Sequence, residues 1–313
     1  MNDFVMDTAA SAPDFIPDIG VTISKLFIYP VKSCAGVEVK EAILLDTGLE
    51  FDRAWMVVNA SGEFLTQREL PRMVLVKPQL KHFEMVLRAP GMLALHIKLD
   101  EVEAPCRVKV WDDEVPAYDM GPVAAQWFTD FLGQTARLVR FDPAHKRYSS
   151  RQWTGYSDGL NQFSDGFPLL VISEASLSQF NDQLADAGSI AVGMERFRPN
   201  IVLGCNAEHA VNGVGGALLP HDEDRLALMQ ITTVQGVVQI KPVKPCPRCP
   251  IPNIDPLTAL SEHMVGDTLQ RYRQNVQVGG APSFGMNCIV LGSTELLLKV
   301  GQSVEASYRF VEA

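Results

Sequence analysis

From Thr22 onward, apolar and polar residues alternate over short runs broken by turn residues, a period-2 pattern that predicts strands with one buried face. The first half reads as strands at Ile23 to Tyr29, Val37 to Leu45, Ala54 to Val58, Glu63 to Gln67, Met73 to Leu80, Phe83 to Arg88, Leu93 to Leu99 and Cys106 to Trp111. Asn59-Ala60-Ser61-Gly62 supplies the turn between the third and fourth. Short strands about ten residues apart predict an antiparallel barrel or sandwich.

The period then changes. Pro122 opens a predicted helix in which Val123, Trp127, Phe128 and Phe131 share one face, and Gly133 stops it. Leu138 to Phe141 reads as one more strand. Residues 143–166 are polar and weakly periodic, which predicts a domain boundary. The second half opens on the apolar run Leu169 to Ile172. Ser173 can cap a helix from Glu174 to Asp186, on which Leu177, Phe180 and Leu184 align. Strands follow at Asn200 to Leu203, Leu226 to Ile231, Val237 to Ile240, Cys288 to Leu291 and Leu296 to Val300, with a short helix at Thr268 to Arg273.

The reading is a mainly β, α+β chain: a tail over 1–20, a β-barrel-like domain over 21–145, and a second β domain over 146–313. No strand–helix alternation of the Rossmann kind appears, and neither GxGxxG nor GxxxxGK[ST] occurs, so a nucleotide lacks its usual sequence support.

Charge narrows the partners. With 27 Lys and Arg against 37 Asp and Glu, the net charge of -10 repels phosphate backbones and anionic lipid. Nucleic acid and membrane surfaces are therefore not expected partners. No apolar run reaches spanning length, and the first twenty residues contain no Lys or Arg, so a cytoplasmic protein with reduced cysteines is expected.

Five segments hold candidate chemistry. In Lys244-Pro245-Cys246-Pro247-Arg248-Cys249-Pro250 two thiols flank an arginine, which favours thiolate. Four readings stay open there: half of a zinc site with His263 downstream, a redox pair, a structural loop, or one soft-metal thiolate ligand. In Tyr29-Pro30-Val31-Lys32-Ser33-Cys34, Lys32 and Ser33 form either a small anion cradle or a solvated turn. Arg53, in Phe51-Asp52-Arg53-Ala54-Trp55, can fork a phosphate or pair with Asp52 or Glu50. Arg196-Phe197-Arg198-Pro199-Asn200 stands before a buried strand, as either site or strand-edge solvation. Phe163-Ser164-Asp165-Gly166-Phe167-Pro168 is a turn before another.

In this order and spacing, YPVKSC, DRAW, FSDGFP, FRPNIVL and CPRC resemble the two-part MOSC proteins, in which an N-terminal β-barrel domain precedes the MOSC domain. The chain is similar to the mitochondrial amidoxime-reducing component and its bacterial homologues over roughly Thr22 to Tyr308. The resemblance implies a molybdenum cofactor (Mo-molybdopterin) between the domains. It assigns the metal to Cys249, cofactor contacts to Lys32, Ser33, Arg53, Arg198, Asn200 and Arg248, and the lining turn to Ser164 and Asp165, with Asp165 a candidate proton relay. Gly166 and Phe167 depart from the family turn, whose next residues are usually small and hydroxylated.

The implied activity is reduction of N-hydroxylated small molecules such as hydroxylamines and amidoximes. No four-cysteine iron–sulfur motif is present, so electrons are expected from a separate ferredoxin-like or haem donor and its reductase. Pyridoxal phosphate, carried by desulfurases to which some MOSC domains are fused, is not expected. The alternative is a molybdenum-cofactor or persulfide sulfur carrier without reductase activity.

Overall fold

The first strand, Ile19–Ile28, has neighbours along both edges. One edge pairs with Ser303–Tyr308 and then with Val37–Val39; the other pairs with Ile201–Gly204. That last pairing closes a seven-stranded barrel, running from Ile201–Gly204 through Leu169–Ser173, Ser283–Gly292, Gly236–Pro247, Leu226–Thr233 and Ser303–Tyr308 back to Ile19–Ile28. The computed structural model describes residues 15–102, 104–211 and 214–309.

Every barrel pairing is antiparallel except that of Leu169–Ser173 with Ile201–Gly204. A parallel pair needs a crossover, and the helix Glu174–Asp186 supplies it. Ser173 caps that helix as its sequence predicts: its Oγ accepts the Ser176 N–H at 3.1 Å. The alternating residues Val21, Ile23, Ile231, Val238, Ile240, Met286, Cys288 and Val304 fill the barrel.

A second core lies beside it. Trp55–Val58, Arg137–Phe141, Asp113–Asp119 and Pro105–Val110 form an antiparallel sheet, and Lys77–Leu80, Glu84–Arg88 and Leu95–Lys98 form a meander. The helix Gly121–Leu132 packs Ala124, Trp127, Phe128 and Phe131 into this core. Val123 lies one position off that stripe and is solvent-exposed, contrary to its assignment from the sequence pattern.

Several boundaries differ from the sequence reading. Of the tail expected over 1–20, residues 1–14 lie outside the described residues, and Ile19 and Gly20 already belong to the first strand. Glu63 to Gln67 makes only isolated bridges, and Pro71–Leu75 is a 3-10 turn, begun by a proline that cannot donate to a ladder. The strand Asp113–Asp119, disguised by its acids and Pro116, was missed. Gly236–Pro247 is twelve residues long; its register shifts across 242–244 and 245–247, accommodating prolines that a regular ladder would reject. Hydrogen bonding also crosses residue 145. Ile19–Ile28 completes the barrel, and Leu296–Lys299 pairs with Glu41–Leu45. Strands pair where an edge is open, whatever their separation in sequence.

Candidate functional site

The segment leaving the first strand turns inward at Lys32. Its backbone N–H donates to Trp55 O at 2.8 Å, and its side chain is buried, with Nζ donating to Phe163 O at 2.8 Å and Asp165 Oδ1 at 2.5 Å. The solvated-turn reading therefore fails. Burial pulls the Lys32 ammonium below its ordinary pKa, and Asp165 opposes that shift. Asp165 is itself more than half exposed. Partial desolvation in the cleft pushes its pKa up, but Lys32, with Arg68 at 3.6 Å, overrides this and holds it below the usual carboxylate range. Asp165 is consequently an anion at neutral pH.

Arg53 also turns inward. Asp52 is buried; its Oδ1 accepts the Tyr29 N–H at 2.8 Å and its Oδ2 accepts Arg53 Nη1 at 2.5 Å. The same guanidinium donates to Asn200 Oδ1 and Arg198 O, each at 3.2 Å. The pair with Asp52 is thus a buried anchor rather than a surface salt bridge. Arg198 donates to Cys34 O at 2.7 Å. Both guanidinium carbons lie on the Tyr29 ring, at 4.4 Å for Arg53 and 4.2 Å for Arg198. That ring fits because residue 36 is glycine: a Cβ there would meet it at 2.4 Å. Burial and the neighbouring Arg53 charge lower Arg198 to about 10. Ser33, Arg53 and Arg198 all have positive φ, at 66°, 51° and 58°. Such strain in non-glycine residues persists only where the surroundings enforce it, and it gathers at functional sites.

The Ser164–Asp165 turn is held from behind by Arg147, which is buried. Arg147 Nη1 donates to Asn161 Oδ1 at 2.6 Å, Gln162 O at 2.9 Å and Ser164 O at 2.7 Å, while Nε reaches Asp113 Oδ2 at 2.8 Å. Ser164 Oγ donates to Asn161 Oδ1 at 3.0 Å. Asn200 ties two barrel strands to this region, accepting the Leu170 N–H at 3.1 Å and donating to Phe27 O at 3.3 Å.

The CPRC segment leaves the end of the twelve-residue strand. Arg248 donates through Nη2 to Phe197 O at 2.7 Å and through Nη1 to Cys246 Sγ at 3.1 Å. Arg196 fastens the following loop, with Nη2 on Asp255 Oδ2 at 2.8 Å and Nη1 on the Pro252 and Asn253 carbonyls at 3.3 Å each. His263 is exposed and pairs with Asp267 at 2.7 Å. Among the described residues no three His, Cys, Asp or Glu side chains gather at one point, so the zinc reading has no support. A redox pair normally opens an α-helix; here the element next after the thiols is a 3-10 turn, Ile251–Asn253.

One cleft collects these parts. Lys32, Ser33, Arg53, Ser164, Asp165, Arg198, Asn200, Arg248 and Cys249, the nine residues singled out in the sequence, all line it. Arg68 lines it as well, a residue to which the sequence assigned no role. Its only signal was its place in Thr66-Gln67-Arg68, soon after the DRAW string. Tyr29 and Arg147 were also missed, because a platform and a rear brace are defined only by the side chains that touch them. Five cationic side chains and one carboxylate line the cleft, and the Nε atoms of Arg68 and Arg248 are buried without an acceptor. This donor set is short of an anion.

Residues 20–135 match the model of the MOSC N-terminal beta barrel domain, and residues 158–305 match that of the MOSC domain. Mitochondrial amidoxime reducing component 2 of Rattus norvegicus is 35% identical over 311 residues, 93% of this chain and 84% of that protein. The chain belongs to this MOSC family. Mitochondrial amidoxime-reducing component 1 of Mus musculus is 34% identical over 84% of this chain and 76% of its own length. Molybdenum cofactor sulfurase of Bos taurus is 29% identical over 80% of this chain, which spans only 29% of that protein. The amidoxime-reducing relatives are designated mitochondrial, whereas the sequence of this MOSC protein suggested the cytoplasm. No described helix is long and apolar enough to cross a membrane.

Proposed function

We propose that this MOSC protein is a molybdenum-cofactor-dependent reductase of N-hydroxylated compounds, supplied with electrons by a separate ferredoxin-like or haem protein. The observation that carries the reading is the convergence of a thiol, Cys249, and five cationic side chains on one cleft that holds a single carboxylate. The residues fit the group: the acceptor-less Nε atoms of Arg68 and Arg248 are donors suited to a phosphate, and a thiolate is a soft ligand suited to molybdenum. The names of the amidoxime-reducing relatives and of the molybdenum cofactor sulfurase support the same choice.

In this reading Cys249 is the protein's metal ligand, and Lys32, Ser33, Arg53, Arg198, Asn200 and Arg248 hold the pterin phosphate. When bound, the molybdenum cofactor supplies the two electrons that cleave an N–O bond, with two protons taken up and water released. The chain fixes the charge around that chemistry. Asp52 and Tyr29 hold Arg53 and Arg198 in place before any ligand arrives, so little ordering remains to be done on binding. Asp165, as an anion, keeps the proton on Lys32 Nζ against the pull of burial. In a relay it would first accept a proton; it holds none to give.

The test pairs metal and pterin analysis of purified full-length protein with reduction of benzamidoxime by a reduced viologen. Molybdenum present with turnover is the expected result. A molybdenum-replete sample without turnover would favour a cofactor carrier, and protein that never takes up molybdenum would overturn both molybdenum readings and leave the persulfide carrier.

A further inference from the structure

Two residues before Cys246, in the same strand, stands Lys244. Three neighbours place it beside the cleft. Cys246 lines the cleft; Asn287, which also lines it, is the cross-strand partner of Lys244; and Phe167, a third lining residue, has its ring centroid 5.8 Å from Lys244 Nζ. On the other side Nζ lies 5.1 Å from the centroid of Trp153. Among the described residues no carboxylate pairs with this ammonium, although the chain carries ten more acids than bases. Two aromatic faces hold the charge in position without neutralising it, as a cation–π contact does. Phe167 is also, with Gly166, one of the two residues at which the sequence departs from the usual family turn.

We propose that Lys244, braced by Trp153 and Phe167, is a substrate-recognition residue that selects N-hydroxylated compounds carrying a carboxylate on an aromatic or other flat body. The carboxylate pairs with Nζ, and the flat body lies on the Phe167 side of the cleft, which directs the N-hydroxyl end inward. The proposal deepens the reductase reading and rests on it for the identity of that inner end. The phosphate cradle is a separate set of cations, so the two can be told apart by substitution.

The experiment is calorimetric titration of full-length protein as purified with 4-carboxybenzamidoxime and with benzamidoxime, which differ only in the carboxylate. The carboxylate form should bind about tenfold more tightly, the scale of one charge-assisted contact. Lys244→Met keeps the aliphatic stem over the two rings and should abolish the difference, while Lys244→Arg should restore most of it. A preference that survives Lys244→Met belongs to the arginine cradle and overturns the proposal. Equal binding of the two ligands by the unsubstituted protein overturns it too, as does binding of neither. Viologen-driven turnover of benzamidoxime is read alongside. A charge preference without turnover removes the reductase reading and leaves the recognition site standing; turnover without a charge preference does the reverse.

Discussion

Arg248 Nη1 donates to Cys246 Sγ at 3.1 Å, so the arginine between the two thiols is engaged with the first. The two cysteines are therefore unlike. Cys246 packs against the Phe180, Phe197 and Phe284 cluster and helps orient the guanidinium, while Cys249 lies beyond the end of the strand. Cys249→Ala should lose molybdenum while the unfolding free energy stays within about 0.5 kcal/mol, as for other substitutions outside a core. Cys246→Ala should retain part of the metal and weaken cofactor retention through Arg248. Metal analysis beside denaturant unfolding reads both. Equal metal loss from the two variants, with zinc at one equivalent in the parent, would contradict the assignment.

Arg147 offers a test of the brace. Arg147→Met takes the donor from the Gln162 and Ser164 carbonyls and leaves Asn161 Oδ1 with only the Ser164 hydroxyl. A loss of about 3 kcal/mol is expected, since an unsatisfied buried partner costs about 1–3 kcal/mol. Asp113→Asn should cost less than about 1 kcal/mol, because Asp113 is 55% exposed. Urea midpoints at unchanged m separate the two.

Asp165 should leave a signature in acid. Its pKa is depressed in the folded state, so its contribution is present above the unfolded carboxylate value, 3.8, and is lost as pH falls through the lower folded value. Asp165→Asn should remove that acid-side loss. Because the side chain is more than half exposed, the effect on stability should be at most about 1 kcal/mol. The same variant removes what supports the Lys32 charge, so phosphate affinity should begin to fall at a lower alkaline pH than in the parent. Phosphate titrations from neutral to alkaline pH would show whether it does.

Glu223 behaves oppositely. It is buried beside Ser173 and Ser176, whose Oγ atoms each donate to Oε2 at 2.8 Å, yet burial outweighs these bonds and raises its pKa above 4.5. The folded protein then binds the proton more tightly than the unfolded chain. The stability that this proton contributes is fully present below pH 4.5 and is lost as pH rises through the higher folded value, with a slope of at most about 1.4 kcal/mol per pH unit. Glu223→Gln should flatten that fall. Thermal unfolding across pH 4–8 would reveal it, and an unchanged slope would reject the assignment.

Electron supply gives a kinetic test. With NADH alone the purified protein should not reduce an N-hydroxylated substrate; with a reduced viologen, or a ferredoxin or haem protein and its reductase, it should. The net charge of -10 favours a basic patch on the donor, so the protein-driven rate should fall as salt rises, while the viologen rate should respond less. Steady NADH turnover without a second protein would show that the electron path is wrong.

The sequence by itself determined the β-rich class, the helix Glu174–Asp186 with its Ser173 cap, the Gly133 stop and the nine residues of the cleft. Local periodicity and cap chemistry lie within a few residues, and the site strings YPVKSC, DRAW, FSDGFP, FRPNIVL and CPRC were legible as a resemblance. The tertiary structure alone decided which edge each strand joins, so it decided that Ile19–Ile28 closes a barrel built mostly from residues beyond 168. It also decided the roles that need a second side chain. Asp52 was legible as a partner for Arg53 but not as a buried one; Tyr29 became a platform only when two arginines separated from each other by 145 positions reached its ring; and Arg147, in a segment with no periodicity, became a brace only through carbonyls that the folded turn presents to it. Burial and convergence are sums over distant contacts, and no window along the chain contains them.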